Sequence, residues 1–94
     1  MSDDTISIYL VEDNELIRSA VSVALNGISG FKVVGQAADG ASAIEDILAS
    51  PPNLALVDIG LPKVDGIEVT KTVKQRLPGL KAIMLTSHDS DEDM

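Results

Sequence analysis

Ninety-four residues leave room for one domain with one core, and 45 % apolar content with a single Phe and a single Tyr makes that core aliphatic. The absence of cysteine excludes a disulfide framework and a thiolate metal site, and the lone His88 cannot build a zinc site by itself. A formal charge of −8, with only seven Lys and Arg scattered along the chain, argues against holding a nucleic-acid backbone and for a cation or a basic partner.

The acidic start, Met1-Ser2-Asp3-Asp4, leads to no long apolar run, so neither a signal peptide nor a membrane span is expected and the cytoplasm is the default location. Ile6 to Val11 is rich in β-formers and predicts a first strand running into Glu12-Asp13. Asn14 then caps a helix from Glu15 to about Asn26, whose stripe is Leu16, Ile17, Ala20, Val21, Ala24 and Leu25. Asn26-Gly27 and Ser29-Gly30 stop it. Phe31 to Ala37 predicts a weaker second strand, polar at two inner positions and therefore at the sheet's edge.

Asp39 caps the next helix, with Ala41, Ile44, Ile47 and Leu48 inward, and Pro51-Pro52 ends it. Leu54-Ala55-Leu56-Val57 is the short apolar run of a strand buried on both faces, and it ends in Asp58. An unpaired buried carboxylate takes up a proton, so Asp58 must lie at the open end of the sheet beside a cation or donors. It is no helix cap, because Ile59-Gly60-Leu61-Pro62 starts no helix. A helix from about Gly66 to Arg76 follows, with Ile67, Thr70, Val73 and Leu77 inward and Lys71, Lys74 and Arg76 outward. Lys81 to Thr86 is a fourth strand, His88 sits in an exposed loop, and Ser90 to Asp93 resembles the capped acidic first turn of another helix.

Strands alternating with helices make an α/β domain with a parallel sheet and right-handed crossovers, which delivers the C-terminal strand ends to one rim. Glu12-Asp13, Asp58 and Thr86 all fall on that rim. Adjacent strand ends lie roughly 5 Å apart, and two carboxylates that close cannot both stay ionised without help. A Mg²⁺-like site resolves the conflict, using Asp13, Asp58, a backbone carbonyl just past Asp58, and Glu12 directly or through water. A carboxylate is a nucleophile towards phosphorus, and the Thr86 hydroxyl at the next strand end suits a phosphoryl oxygen, so the constellation reads as phosphoryl acceptance on Asp58. Taken singly, Glu12-Asp13 is equally a solvated turn before a helix, and Thr86 a strand-end hydroxyl.

Val11-Glu12-Asp13-Asn14, Leu56-Val57-Asp58-Ile59-Gly60-Leu61-Pro62 with Asp65-Gly66, and Leu85-Thr86-Ser87 resemble, in order and spacing, the three motifs of bacterial response-regulator receiver domains. The resemblance covers the whole chain and implies the flavodoxin-like (CheY-like) sheet of order 2-1-3-4-5, the order of the family's chemotaxis member. This chain would carry the order 2-1-3-4, residues 1–94 forming a receiver domain that lacks most of the fourth helix, the fifth strand and the last helix. The resemblance further implies that Asp58 receives a phosphoryl group from a sensor histidine kinase or phosphotransfer protein. Glu12, Asp13, Asp58 and the Gly60 carbonyl would hold Mg²⁺, and Thr86 would contact the phosphate as a switch. Such a domain is no enzyme beyond its own phosphorylation and dephosphorylation.

The segment from Phe31 to Ala37 with Asp39-Gly40 is similar to the NarL/FixJ branch, whose members carry a C-terminal helix-turn-helix, so DNA would be reached through an absent output domain and not by this segment. The family's lysine at the end of the fifth strand is missing, and Lys81, at the opposite end of the sheet, cannot replace it. The competing expectation is a receiver-like scaffold without phosphorylation, associating as a homodimer or intertwined oligomer through the uncovered fourth strand. Flavin or nucleotide binding on the same fold fails on charge, since Glu12-Asp13-Asn14-Glu15 repels phosphate and no Gly-rich fingerprint follows a strand.

Overall fold

The computed structural model of the chain describes residues 5–58, 61 and 66–85. They form β1 (Ile6–Val11), α1 (Glu15–Asn26), β2 (Phe31–Ala37), α2 (Gly40–Ala49), β3 (Leu54–Asp58), α3 (Gly66–Arg76) and β4 (Lys81–Leu85). All neighbouring strands are parallel, as the alternation of elements predicts, and the order is β2-β1-β3-β4, as the resemblance implies. β2, the strand with polar inner positions, lies at one edge.

Strand side chains alternate between faces, and the two faces are covered unequally. Tyr9 and Val11 of β1 and Ala55 and Val57 of β3 join Ala43, Ile47, Val69, Val73, Leu61 and Leu80 in one core beneath α2 and α3. The other face carries Ile8 and Leu10, both fully buried. Leu10 stands beside Gln36, whose side-chain amide donates to Ser22 Oγ at 3.1 Å, so α1 lies over this second face.

Three inward assignments shift when the helices are seen packed. In α2 the buried residues are Gly40, Ala43 and Ile47, and Ala41 is exposed. In α3 they are Gly66, Val69 and Val73, whereas Ile67 is 52 % exposed. The cause in both helices is phase: the i, i+3, i+7 set that meets the sheet runs along small or β-branched residues with little hydrophobic contrast. In α1 the expected stripe is mostly uncovered, with Leu16 80 % and Ile17 41 % exposed, because α1 meets the sheet through Ser22 with Val21 and Leu25 half-buried.

β4 is covered least. Its only partner among the described residues is β3, and Ile83, Met84 and Leu85 are 50 %, 43 % and 36 % exposed.

The pairing of β1 with β2 contains a bulge: Ile8 pairs with Val33 and Tyr9 with Gly35, leaving Val34 as the extra residue. Gly35 lies under the Tyr9 ring, and a Cβ there would come within 2.6 Å of Cε2. The ring is fixed from its far end, because the Tyr9 hydroxyl donates to Asp46 Oδ2 on α2 at 2.6 Å. Burial first, and the Asp46 carboxylate second, push the phenol's pKa above its ordinary 10.0, so it stays a donor at any physiological pH. Gly35→Ala therefore has to displace a tethered ring, and the expected result is a loss of about 1–3 kcal/mol in urea denaturation.

Candidate metal and phosphoryl site

Two strand ends build the site. β1 stays in register with β3 up to the pair Val11–Val57, so Glu12 and Asp13 emerge next to the end of β3, where Asp58 is the last residue. One carboxylate oxygen from each of Glu12, Asp13 and Asp58 lies within 4.8 Å of the other two. Glu12 and Asp58 are 5 % and 1 % exposed, and Asp13 is exposed, so the cluster reaches solvent on Asp13's side.

The local backbone explains why the acids converge. The Glu12 N–H donates to the Ala37 carbonyl at 3.1 Å, continuing the strand pairing one residue past β1. Asn14 then starts α1, its side-chain oxygen accepting from the Ile17 N–H at 3.0 Å, the N-cap bond expected for this residue. The Asn14 N–H also donates to Glu12 Oε2 at 3.1 Å, which turns the Glu12 carboxylate back over the helix start.

Burial pushes the Glu12 carboxyl above the usual carboxylate range, and the Asp58 charge adds to the push, while the bond from the Asn14 N–H opposes it. Hydrogen bonding with the Asp13 and Asp58 carboxylates also favours the protonated form, since one proton must lie between two such groups. The same crowding of negative charge that raises the Glu12 carboxyl is what a bound cation would relieve. Three hard oxygen donors, two of them buried, fit a hard divalent cation held by few protein ligands. The cluster can bind a metal.

Glu12, Asp13 and Asp58, expected at one rim, are therefore brought together. Gly60 and Thr86 lie outside the described residues, as do Asp65, His88 and the acidic stretch 89–93. A cavity of about 790 Å³ opens elsewhere, lined by Pro51, Pro52, Leu77, Pro78, Ile83 and neighbours with no carboxylate among them. It has no part in the acidic chemistry, which needs charge and oxygen donors and no apolar walls.

Sequence reasoning missed Arg18. Its guanidinium donates from α1 to the Glu12 carbonyl at 2.9 Å, and the only signal was one of seven cationic residues standing six positions after an acidic pair. Asn14 was legible as a helix cap but not as a partner of Glu12.

No helix among the described residues is long and apolar enough to cross a membrane. Residues 8–94 match the family model described as the response regulator receiver domain. The chain is 37 % identical over 89 residues to the response regulator protein VraR of Staphylococcus saprophyticus, covering 95 % of this chain and 43 % of that protein. It is 34 % identical over 91 residues to the transcriptional regulatory protein DegU of Brevibacillus brevis, covering 97 % of this chain and 39 % of that one. The chain thus spans less than half the length of these two regulators. Among solved structures, the signal receiver domain of NarL from Mycobacterium tuberculosis superposes with a TM-score of 0.85 at 32 % identity, over 93 % of this chain and 70 % of that one. The sheet order, the acids gathered at one rim and the match over nearly the full length agree, and the chain belongs to the response-regulator receiver domain family.

Proposed function

We propose that the chain accepts a phosphoryl group on Asp58 from the phosphohistidine of a sensor kinase or phosphotransfer protein, in the cytoplasm, and that this charge change drives an output. The observation that carries the reading is the convergence of Glu12, Asp13 and Asp58 within 4.8 Å from two strand ends. An Asp58 oxygen attacks phosphorus, an O–P bond forms as the donor's P–N bond breaks, and the imidazole leaves with the electron pair. Glu12 and Asp13 with Asp58 would hold Mg²⁺, which, when bound, neutralises charge on the transferring phosphoryl oxygens. The Gly60 carbonyl is proposed as a further ligand and Thr86 as the hydroxyl that meets the phosphate.

Each of the chain's own groups has a distinct task in this reading. Asn14 N–H orients Glu12, burial keeps bulk water from competing at Asp58, and the exposed Asp13 leaves an entrance for ion and donor. The relative named a transcriptional regulatory protein, DegU, suggests an output on DNA through a domain other than this one.

A second reading, a protein-interaction module without phosphorylation, is favoured by the apolar exposure of β4. One experiment separates the two. Incubated with acetyl phosphate and MgCl₂, the chain is expected to gain one phosphoryl group by intact-mass spectrometry, and the adduct should be lost on treatment with hydroxylamine, as an acyl phosphate is. A chain that gains nothing yet self-associates in sedimentation is the interaction module.

A further inference from the structure

The peptide group joining Glu12 to Asp13 carries the carbonyl that Arg18 holds, and from this we infer that Arg18 is a positioning residue for the acidic cluster, tuning its affinity for a divalent cation. The inference rests on the cation-binding part of the proposed function. A peptide group is planar, so fixing its carbonyl direction fixes the line between the two flanking Cα atoms and restricts the dihedrals from which their side chains leave the backbone. Glu12 and Asp13 are those side chains.

The Glu12–Asp13 segment has tethers on both sides of this peptide. Upstream, the Glu12 N–H is held by Ala37 O at 3.1 Å; downstream, Asn14 caps α1. Between them lies a two-residue link with no glycine, past the last register pair of β1 with β3, and its carbonyl is met by the Arg18 guanidinium at 2.9 Å. Arg18 stands on α1 one turn beyond Asn14, and its own N–H donates to the Asn14 carbonyl at 2.9 Å, so the guanidinium reaches back from rigid helix to loop. Its side chain is half-buried there. A guanidinium keeps its charge throughout the accessible pH range, so the tether persists while the neighbouring carboxyls titrate. Groups that orient metal ligands without touching the metal commonly change affinity 10- to 100-fold when removed.

The test is calorimetric titration of MgCl₂ into the metal-free wild-type chain, R18M and R18K, each first checked for fold by circular dichroism. R18M is expected to bind Mg²⁺ on the order of tenfold more weakly. R18K, whose ammonium can donate to the same single carbonyl, should recover most of that loss. In the metal-free state, the Asp13 and Asn14 amide resonances should move in R18M and return towards wild type in R18K. If R18M does not fold, R18Q, which keeps the helix but shortens the reach, carries the same comparison. Mg²⁺ binding by folded R18M or R18Q equal to wild type overturns the inference alone, as does R18K binding no better than R18M. A wild-type chain that binds no Mg²⁺ overturns the cation reading and the inference with it.

Discussion

Replacing Asp58 by Asn is expected to abolish phosphoryl uptake and, in the metal-free protein, to raise the stability of the fold. The two effects have one origin. Asp58 is 1 % exposed and lies within 4.8 Å of two other carboxylates, an arrangement that costs free energy in the absence of a cation. Two unit charges about 4 Å apart repel by about 1 kcal/mol in bulk water and about 4 kcal/mol at a protein-like dielectric, so removing one charge should stabilise by an amount between those bounds. Asn keeps the shape of the side chain and its capacity to hydrogen-bond with Glu12. Urea denaturation in EDTA measures the gain, and intact mass after acetyl phosphate measures the loss. An aspartate serving only structure behaves in the opposite way, since its replacement would leave buried partners unsatisfied and lower the midpoint. A destabilised D58N that still takes up phosphate would remove Asp58 from the chemistry.

The second large effect is the response to divalent cation. A ligand that binds only the folded chain stabilises it by about 2.7 kcal/mol at 100 times its dissociation constant. For a domain of this size that corresponds to roughly 10–20 °C in thermal midpoint. Saturating MgCl₂ should therefore produce a large upward shift, reversed by EDTA and absent in D58N. The pH dependence follows from Glu12, whose carboxyl titrates above its ordinary 4.5 in the folded chain. A raised carboxyl pKa means that the folded state binds the proton more tightly than the unfolded one, so its contribution is complete below the unfolded value and is lost as pH rises through the folded value. The metal-free chain should lose stability as pH climbs from 4.5 towards neutrality, and saturating Mg²⁺ should suppress that loss because the cation takes the proton's place. Proton release on Mg²⁺ binding, read by calorimetry in buffers of different ionisation enthalpy, checks the exchange directly. Flat stability across this window would mean that Glu12 is not part of the cluster's electrostatics.

Much of this was legible in the residues because the informative signals were local. The apolar run Leu54 to Val57 could only be a buried strand, and ending it in Asp58 at a parallel sheet's C-terminal rim marked that residue for chemistry. The same logic placed Glu12 and Asp13, and Asn14 and Asp39 announced helix starts that their side chains do cap. What was not legible depended on tertiary contact. Whether Ala41 or Ala43, and Ile67 or Val69, faces the sheet is a matter of helix phase that weakly contrasting residues do not reveal. The exposure of Leu16 depends on what lies over α1, and Arg18 acquires its partner only when the helix folds back over the loop. The bulge at Val34 had left one trace, a glycine inside a strand, but the reason for it was the ring of Tyr9 across the ladder.

The exposed side chains of β4 bear on how the molecule behaves in bulk. Among the described residues β4 pairs only with β3, and Ile83, Met84 and Leu85 expose a short apolar ribbon, while the formal charge of −8 favours repulsion between molecules at neutral pH. Acidification strips that charge from the surface while leaving the ribbon unchanged. Lowering the pH should therefore favour association between molecules, the same direction of change that strengthens the Glu12 contribution to the fold.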